Sequence, residues 1–138
     1  MLIHEYTAIC EFARLEAGGK WIIIGLFPNG IGTPMIPFPL PVLTFFQVFK
    51  ADSPGQYKFE AKLSQLDTGQ VIAGARGAVQ VAQAGPVVAP VPLANLQFKA
   101  FGTYTRSIEV EGQPDPYVTE FPISHVKAQM RIVPPPNF

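Results

Sequence analysis

Fifteen prolines and twelve glycines interrupt a chain of 138 residues at short intervals, and this punctuation constrains the fold more than any other feature. A proline inside a helix removes a backbone hydrogen bond and collides with the preceding turn. A mainly helical fold is therefore excluded, and short strands divided by turns remain.

The segments between the breakers read accordingly. "HEYTAICEFAR" alternates, with Tyr6, Ala8, Cys10 and Phe12 on one face, and "EAGG" turns it into "KWIIIGLF", which predicts a first hairpin. "VLTFFQVFK" is a third strand, ended by a tight turn at Pro54-Gly55. "QYKFEAKLSQL" alternates cleanly, with Tyr57, Phe59, Ala61 and Leu63 inward and Lys58, Glu60, Lys62 and Ser64 outward. "DTG" closes a second hairpin into "QVIAGARGAVQVAQ", where Gly74 and Gly77 predict a bulge or a close backbone approach. "GPVVAPVP" reads as a Pro-rich connection, followed by strands in "LQFKAF", "TYTRSIEVEG" and "YVTEFPISHV". Pro122 lacks an amide hydrogen, so the last of these is expected to bend there or to lie on a sheet edge. "KAQMRIVPPPNF" adds a few paired residues before a short Pro-rich tail at 134–138 stops any pairing.

Seven to eight strands at this spacing predict an all-β, antiparallel two-layer sandwich of immunoglobulin-like or similar topology, with a closed barrel as the alternative. A chain of this length needs one core, so a single domain over 1–138 is expected, with a Pro-rich connection at 28–41.

The phrases "YTAICEFA", "GGKWIIIGLF", "FFQVF" and "LQFKAFGTYTRSIEVEG", in this order, resemble a family of small bacterial proteins known as a domain of unknown function. The resemblance covers most of the chain and implies a β-sandwich without an assigned activity. Phrases such as Gly102–Val110 also occur in unrelated sandwich domains, where the tyrosine packs at a corner and its hydroxyl caps a backbone group.

Charge narrows the partners. Ten basic and ten acidic residues cancel, and no run of Lys or Arg forms a phosphate-binding stripe. Nucleic acid and anionic membrane surfaces are thereby disfavoured. No window approaches the run of about twenty apolar residues that spans a bilayer. "MLIHEYTAIC" carries Glu5 where a secretory signal needs an unbroken apolar core, and a single cysteine suits a reducing compartment. A cytoplasmic protein is expected.

Chemistry-bearing residues are few. Cys10 lies among apolar neighbours and is read as a buried structural thiol. His4 and His125 could meet if the terminal strands lay side by side, completed by Glu5 or Glu120, but this is short of a normal ligand set and no metal is expected. Ser53, Ser64, Ser107 and Ser124 lie in no nucleophile elbow, and Ser124 points away from its neighbour His125 on a regular strand. "IAGARGAV" lacks the Gly-Lys-Ser/Thr ending of a phosphate loop. No catalytic or cofactor-binding residue is expected, and an enzyme is the least favoured class.

One feature remains. In "WIIIGLF", Trp21, Ile23 and Phe27 alternate with Ile22, Ile24 and Leu26, so both faces of the strand are apolar. The third strand repeats this, with Val42, Phe46 and Val48 against Leu43, Phe45 and Phe49. Two such strands exceed what a sandwich with wet outer faces requires. Either the segment "FPNGIGTPMIPFPLPV" folds over the second face or another chain does. The expected interaction surface is Ile22, Ile24, Leu26, Met35, Ile36, Phe38 and Leu40, and the expected function is a noncatalytic interaction or assembly module forming a homo-oligomer or holding a protein partner. A small apolar-ligand binder is the alternative.

Overall fold

A computed structural model describes residues 1–127 and Pro136. Nine strands follow one another: β1 (Leu2–Leu15), β2 (Trp21–Leu26), β3 (Ile31–Thr33), β4 (Phe38–Ala51), β5 (Gly55–Gln65), β6 (Val71–Val81), β7 (Gly85–Phe98), β8 (Gly102–Val110) and β9 (Tyr117–His125). They form two sheets, ordered β2-β1-β4-β7 and β3-β9-β8-β5-β6. The all-β sandwich is as expected, with nine strands instead of seven to eight. The pairing is antiparallel except where β3 runs parallel to β9. The tail at 134–138 falls, Pro136 apart, outside the described residues.

The core between the sheets follows from alternation. Leu43, Phe45 and Phe49 of β4 face Ala61 and Leu63 of β5 and Tyr104, Ile108 and Val110 of β8. On β5 the charged residues between the inward ones stay at the surface, Lys58 exposed and Lys62 half-exposed. The Tyr104 hydroxyl donates to the Ala100 carbonyl at 2.7 Å, pinning the corner before β8, and its ring stands edge-on to Phe98 at 5.2 Å. This is the corner role that the Gly102–Val110 phrase implied.

Two proline-rich stretches depart from expectation. "GPVVAPVP" is no connection but the first half of β7, which pairs with β4 from Gly85 to Phe98. Successive residues of an antiparallel strand turn their N–H groups to opposite neighbours. Pro86, Pro90 and Pro92 share one parity, while the buried Ala89, Val91 and Leu93 between and beside them have the other. The prolines therefore cost no ladder bond: they face the open edge of the sheet and deny it donors.

The segment 28–41 is equally absorbed. Ile31 and Thr33 are buried beside β9, and Phe38 and Leu40 begin β4 opposite Phe98 and Leu96. The segment thus leaves one sheet, adds a short strand to the other and returns. It does not cover the outer face of either. Beyond Cys10, paired with Thr44, β1 continues against β2 alone. The Cys10 cluster is extended by Ala13 and Trp21 and not by Phe12, so the alternation slips by one residue where Gly25 takes φ +68°. Pro122 sits just before the stretch Ile123–His125 that β3 covers, so it occupies an edge position.

Gly77 fulfils the close-approach expectation. A Cβ there would come within 2.9 Å of the Phe59 ring. The bulge between β5 and β6 falls elsewhere, at Leu63/Ser64.

Candidate functional site

The two outer faces of the sandwich differ in kind. On the five-stranded sheet the outward row is polar, with Lys58, Glu60, Lys62, Arg76 and Glu109, and Glu60 lies 3.7 Å from Lys62 and 3.5 Å from Arg76. On the four-stranded sheet the outward residues are Tyr6, Ala8 and Cys10 of β1, Val42, Thr44, Phe46 and Val48 of β4, and Pro86, Val88, Pro90 and Pro92 of β7, paired across the strands. Cys10, Phe46 and Val48 form a second buried cluster here, and Trp21 stands edge-on to Phe46 at 5.5 Å. Tyr6 is 54% exposed and Val42 37%. Lys50 lies on this face at its margin, and Glu5 is exposed at the bulge beside Tyr6.

Cys10 is fully buried, as expected, but on this outer cluster and not between the sheets. Its thiol donates to the Thr44 carbonyl at 3.7 Å. Burial pushes its pKa up, so the thiol stays protonated at neutral pH and is a poor nucleophile.

The predicted surface residues scatter. Ile24 and Leu26 are exposed on β2 and Met35 is exposed in the turn after β3, whereas Ile22 and Ile36 are half-buried. Phe38 is half-buried and stacked on Phe98 at 6.4 Å. Leu40 is corrected outright: it lies in the core, because β4 begins earlier than the prolines suggested. No single patch unites the seven.

The histidines do not meet. His4 packs on Tyr117, the first residue of β9, at 5.4 Å, and His125 is the last residue of that strand, with its ring edge-on to Phe101 at 5.6 Å. Eight steps of about 3.3 Å separate those strand ends. His4 faces the core side because a bulge between His4 and Tyr6 shifts the register, and its Nε2 lies 2.7 Å from Thr7 Oγ1. Burial, and then the charge of Arg106, hold its pKa below the ordinary value.

Arg106 was not anticipated. Its side chain is wholly buried between the sheets. Nε donates to Thr119 Oγ1 at 3.0 Å, Nη1 donates to Gln47 Oε1 at 2.5 Å, and the guanidinium carbon lies 5.5 Å from the centre of the Phe45 ring. Nη2 and the Gln47 Nε2 are buried without partners among the described residues. Burial lowers the pKa of Arg106 to about 10, so the group remains cationic at neutral pH. The signal was present in "TYTRSIEV", where Arg106 shares parity with the inward Tyr104, Ile108 and Val110.

Beside this group a cleft opens between β1 and β9. It encloses about 430 Å³ and is lined by Thr7, Ile9, Phe27, Thr119 and Phe121, with Glu120 also on its wall. Among the described residues no group of three or more metal-ligating side chains gathers anywhere, and no helix is long and apolar enough to cross a membrane.

No curated protein matches this chain. A family described as "Family of unknown function (DUF6941)" matches residues 5–129. That span includes the apolar outer face, the Arg106–Gln47 pair and the cleft, and the chain belongs to this family.

Proposed function

We propose that the protein is a noncatalytic interaction module that self-associates through the outer face of its four-stranded sheet. The observation that carries this is the contrast between the faces: one is lined with lysines and glutamates, the other with Phe46, Val48, Val88, Tyr6 and prolines. Phe46 and Val48 lie in the buried cluster beneath, and the apolar surface this face offers a partner is Tyr6, 54% exposed, Ile3, 46%, and Val42, 37%, with Pro86 and Pro92 exposed beside them.

A second copy is the fitting occupant. The charges at this face, Lys50 and Glu5, lie towards the same end of it, and two-fold pairing sets apolar rows against apolar rows while they stay at the rim. Zero net charge removes repulsion between copies. The prolines of β7 discourage pairing along that edge of the four-stranded sheet, beside the face. Methyl NMR on dilution tests the reading. Signals of Val42, Val48 and Val88 should shift with concentration, while Val118 on the opposite sheet stays fixed; shifts at Val118 alone, or none, would overturn it.

A further inference from the structure

We propose that the cleft between β1 and β9 binds a small amphipathic carboxylate whose head is held by Thr7 and Thr119, with the buried charge of Arg106 behind them. Four polar residues form a chain around the inner end of this cleft. Arg106 of β8 is opposite Thr119 of β9, Gln47 of β4 is opposite Thr7 of β1, and Arg106 and Gln47 are joined directly. The two threonines line the cleft, and the arginine and glutamine stand behind them.

A guanidinium taken out of water requires a counter-charge or a full set of acceptors. Arg106 has two neutral acceptors and an aromatic face, and no carboxylate pairs with it among the described residues. The sequence after Glu120 contains no Asp or Glu that could supply one. An anion at the threonine end would gain two hydroxyl donors and lie beside an uncompensated positive charge in a medium of low dielectric constant. Of the remaining walls, Ile9, Phe27 and Phe121 with Leu26 and Pro122 suit an alkyl or aryl body, while the Glu120 carboxylate, also on the wall, repels an anion seated anywhere but at the threonine end. A volume of about 430 Å³ lies in the range of small-molecule sites.

The selectivity follows from the charge. A carboxylate should be preferred over the alcohol of equal chain length, and an ammonium should be rejected. The probes are octanoate, octan-1-ol and octylammonium below their micelle-forming concentrations, titrated into the full chain and followed by calorimetry and amide NMR. Octanoate should bind one to one, at least tenfold tighter than octan-1-ol, with shifts centred on Thr7, Thr119 and Phe121, and octylammonium should not bind. Thr7→Val together with Thr119→Val, both half-buried and Thr119 an acceptor for Arg106, should lower the octanoate affinity severalfold without altering that for octan-1-ol, in a variant whose circular dichroism matches the wild type. Equal affinity for all three probes would show an apolar groove without anion recognition. Shifts confined to Phe46 and Val88 would place the ligand on the outer sheet face. Either result, or no binding, would overturn the proposal, and equal affinities or no binding would leave self-association through the outer face untouched.

Discussion

Arg106 and Gln47 tie the two sheets together, Nη1 on β8 donating to Oε1 on β4 at 2.5 Å. The inward row of β4 runs Leu43, Phe45, Gln47, Phe49 and Ala51, and its one polar member lies opposite the one charge on the inward row of β8. The pair is matched across the sandwich. Each member nevertheless keeps one buried nitrogen without a partner among the described residues.

The two members should respond unequally to substitution. Gln47→Leu strands a buried cation and should cost about 3–5 kcal/mol. Arg106→Met strands only a neutral amide and should cost about 1–3 kcal/mol. The double variant should be less destabilised than the sum of the two, as urea unfolding of all four proteins will show.

Acid should weaken the fold through His4. Its folded-state pKa lies below its ordinary value of 6.5, so the unfolded chain takes up the proton first. Stability contributed here is complete above that value and is lost as the pH falls through it towards the folded-state pKa. The melting temperature should therefore drop between about pH 7 and pH 5, and His4→Gln should flatten that part of the profile.

Removing the Tyr104 hydroxyl isolates the corner bond to Ala100. Tyr104→Phe keeps the ring against Phe98 and should cost about 0.5–1.5 kcal/mol, the net worth of one hydrogen bond to a half-buried carbonyl. Tyr104→Ala should cost more, about 3–5 kcal/mol, because it also empties the site. Chemical denaturation separates the two losses.

Gly30 is required for the attachment of β3. It adopts φ +96°, and a Cβ there would collide with the Pro122 carbonyl and ring. Gly30→Ala should cost more than about 1 kcal/mol. It should speed hydrogen exchange of the amides in Ile31–Thr33 while leaving those of β5 and β8 protected.

How far the sequence revealed this depends on the residue. β5 was legible to the single position because Lys58, Glu60 and Lys62 mark its outer face. β7 was not, because proline was read as a strand breaker when its three prolines in fact share the parity that faces an open edge. The same reading delayed the start of β4 and put the core residue Leu40 on a surface. The two apolar faces of β4 were visible, but composition could not show that the second face carries its own cluster of Cys10, Phe46 and Val48. Arg106 escaped notice because a charge is presumed to face water, and only its place between Tyr104 and Ile108 indicates otherwise.

Pairing of the apolar outer face with a second copy doubles the molar mass in solution. Light scattering on the size-separated protein at about 100 µM, well above the micromolar range of modest protein association, should give twice the chain mass of 15.0 kDa. Tyr6→Lys with Val42→Lys, both at exposed positions on that face, should return the mass to that of a single chain with unchanged strand content by circular dichroism. A wild-type protein with the mass of one chain at that concentration, or a variant that remains double, would rule out pairing through this face.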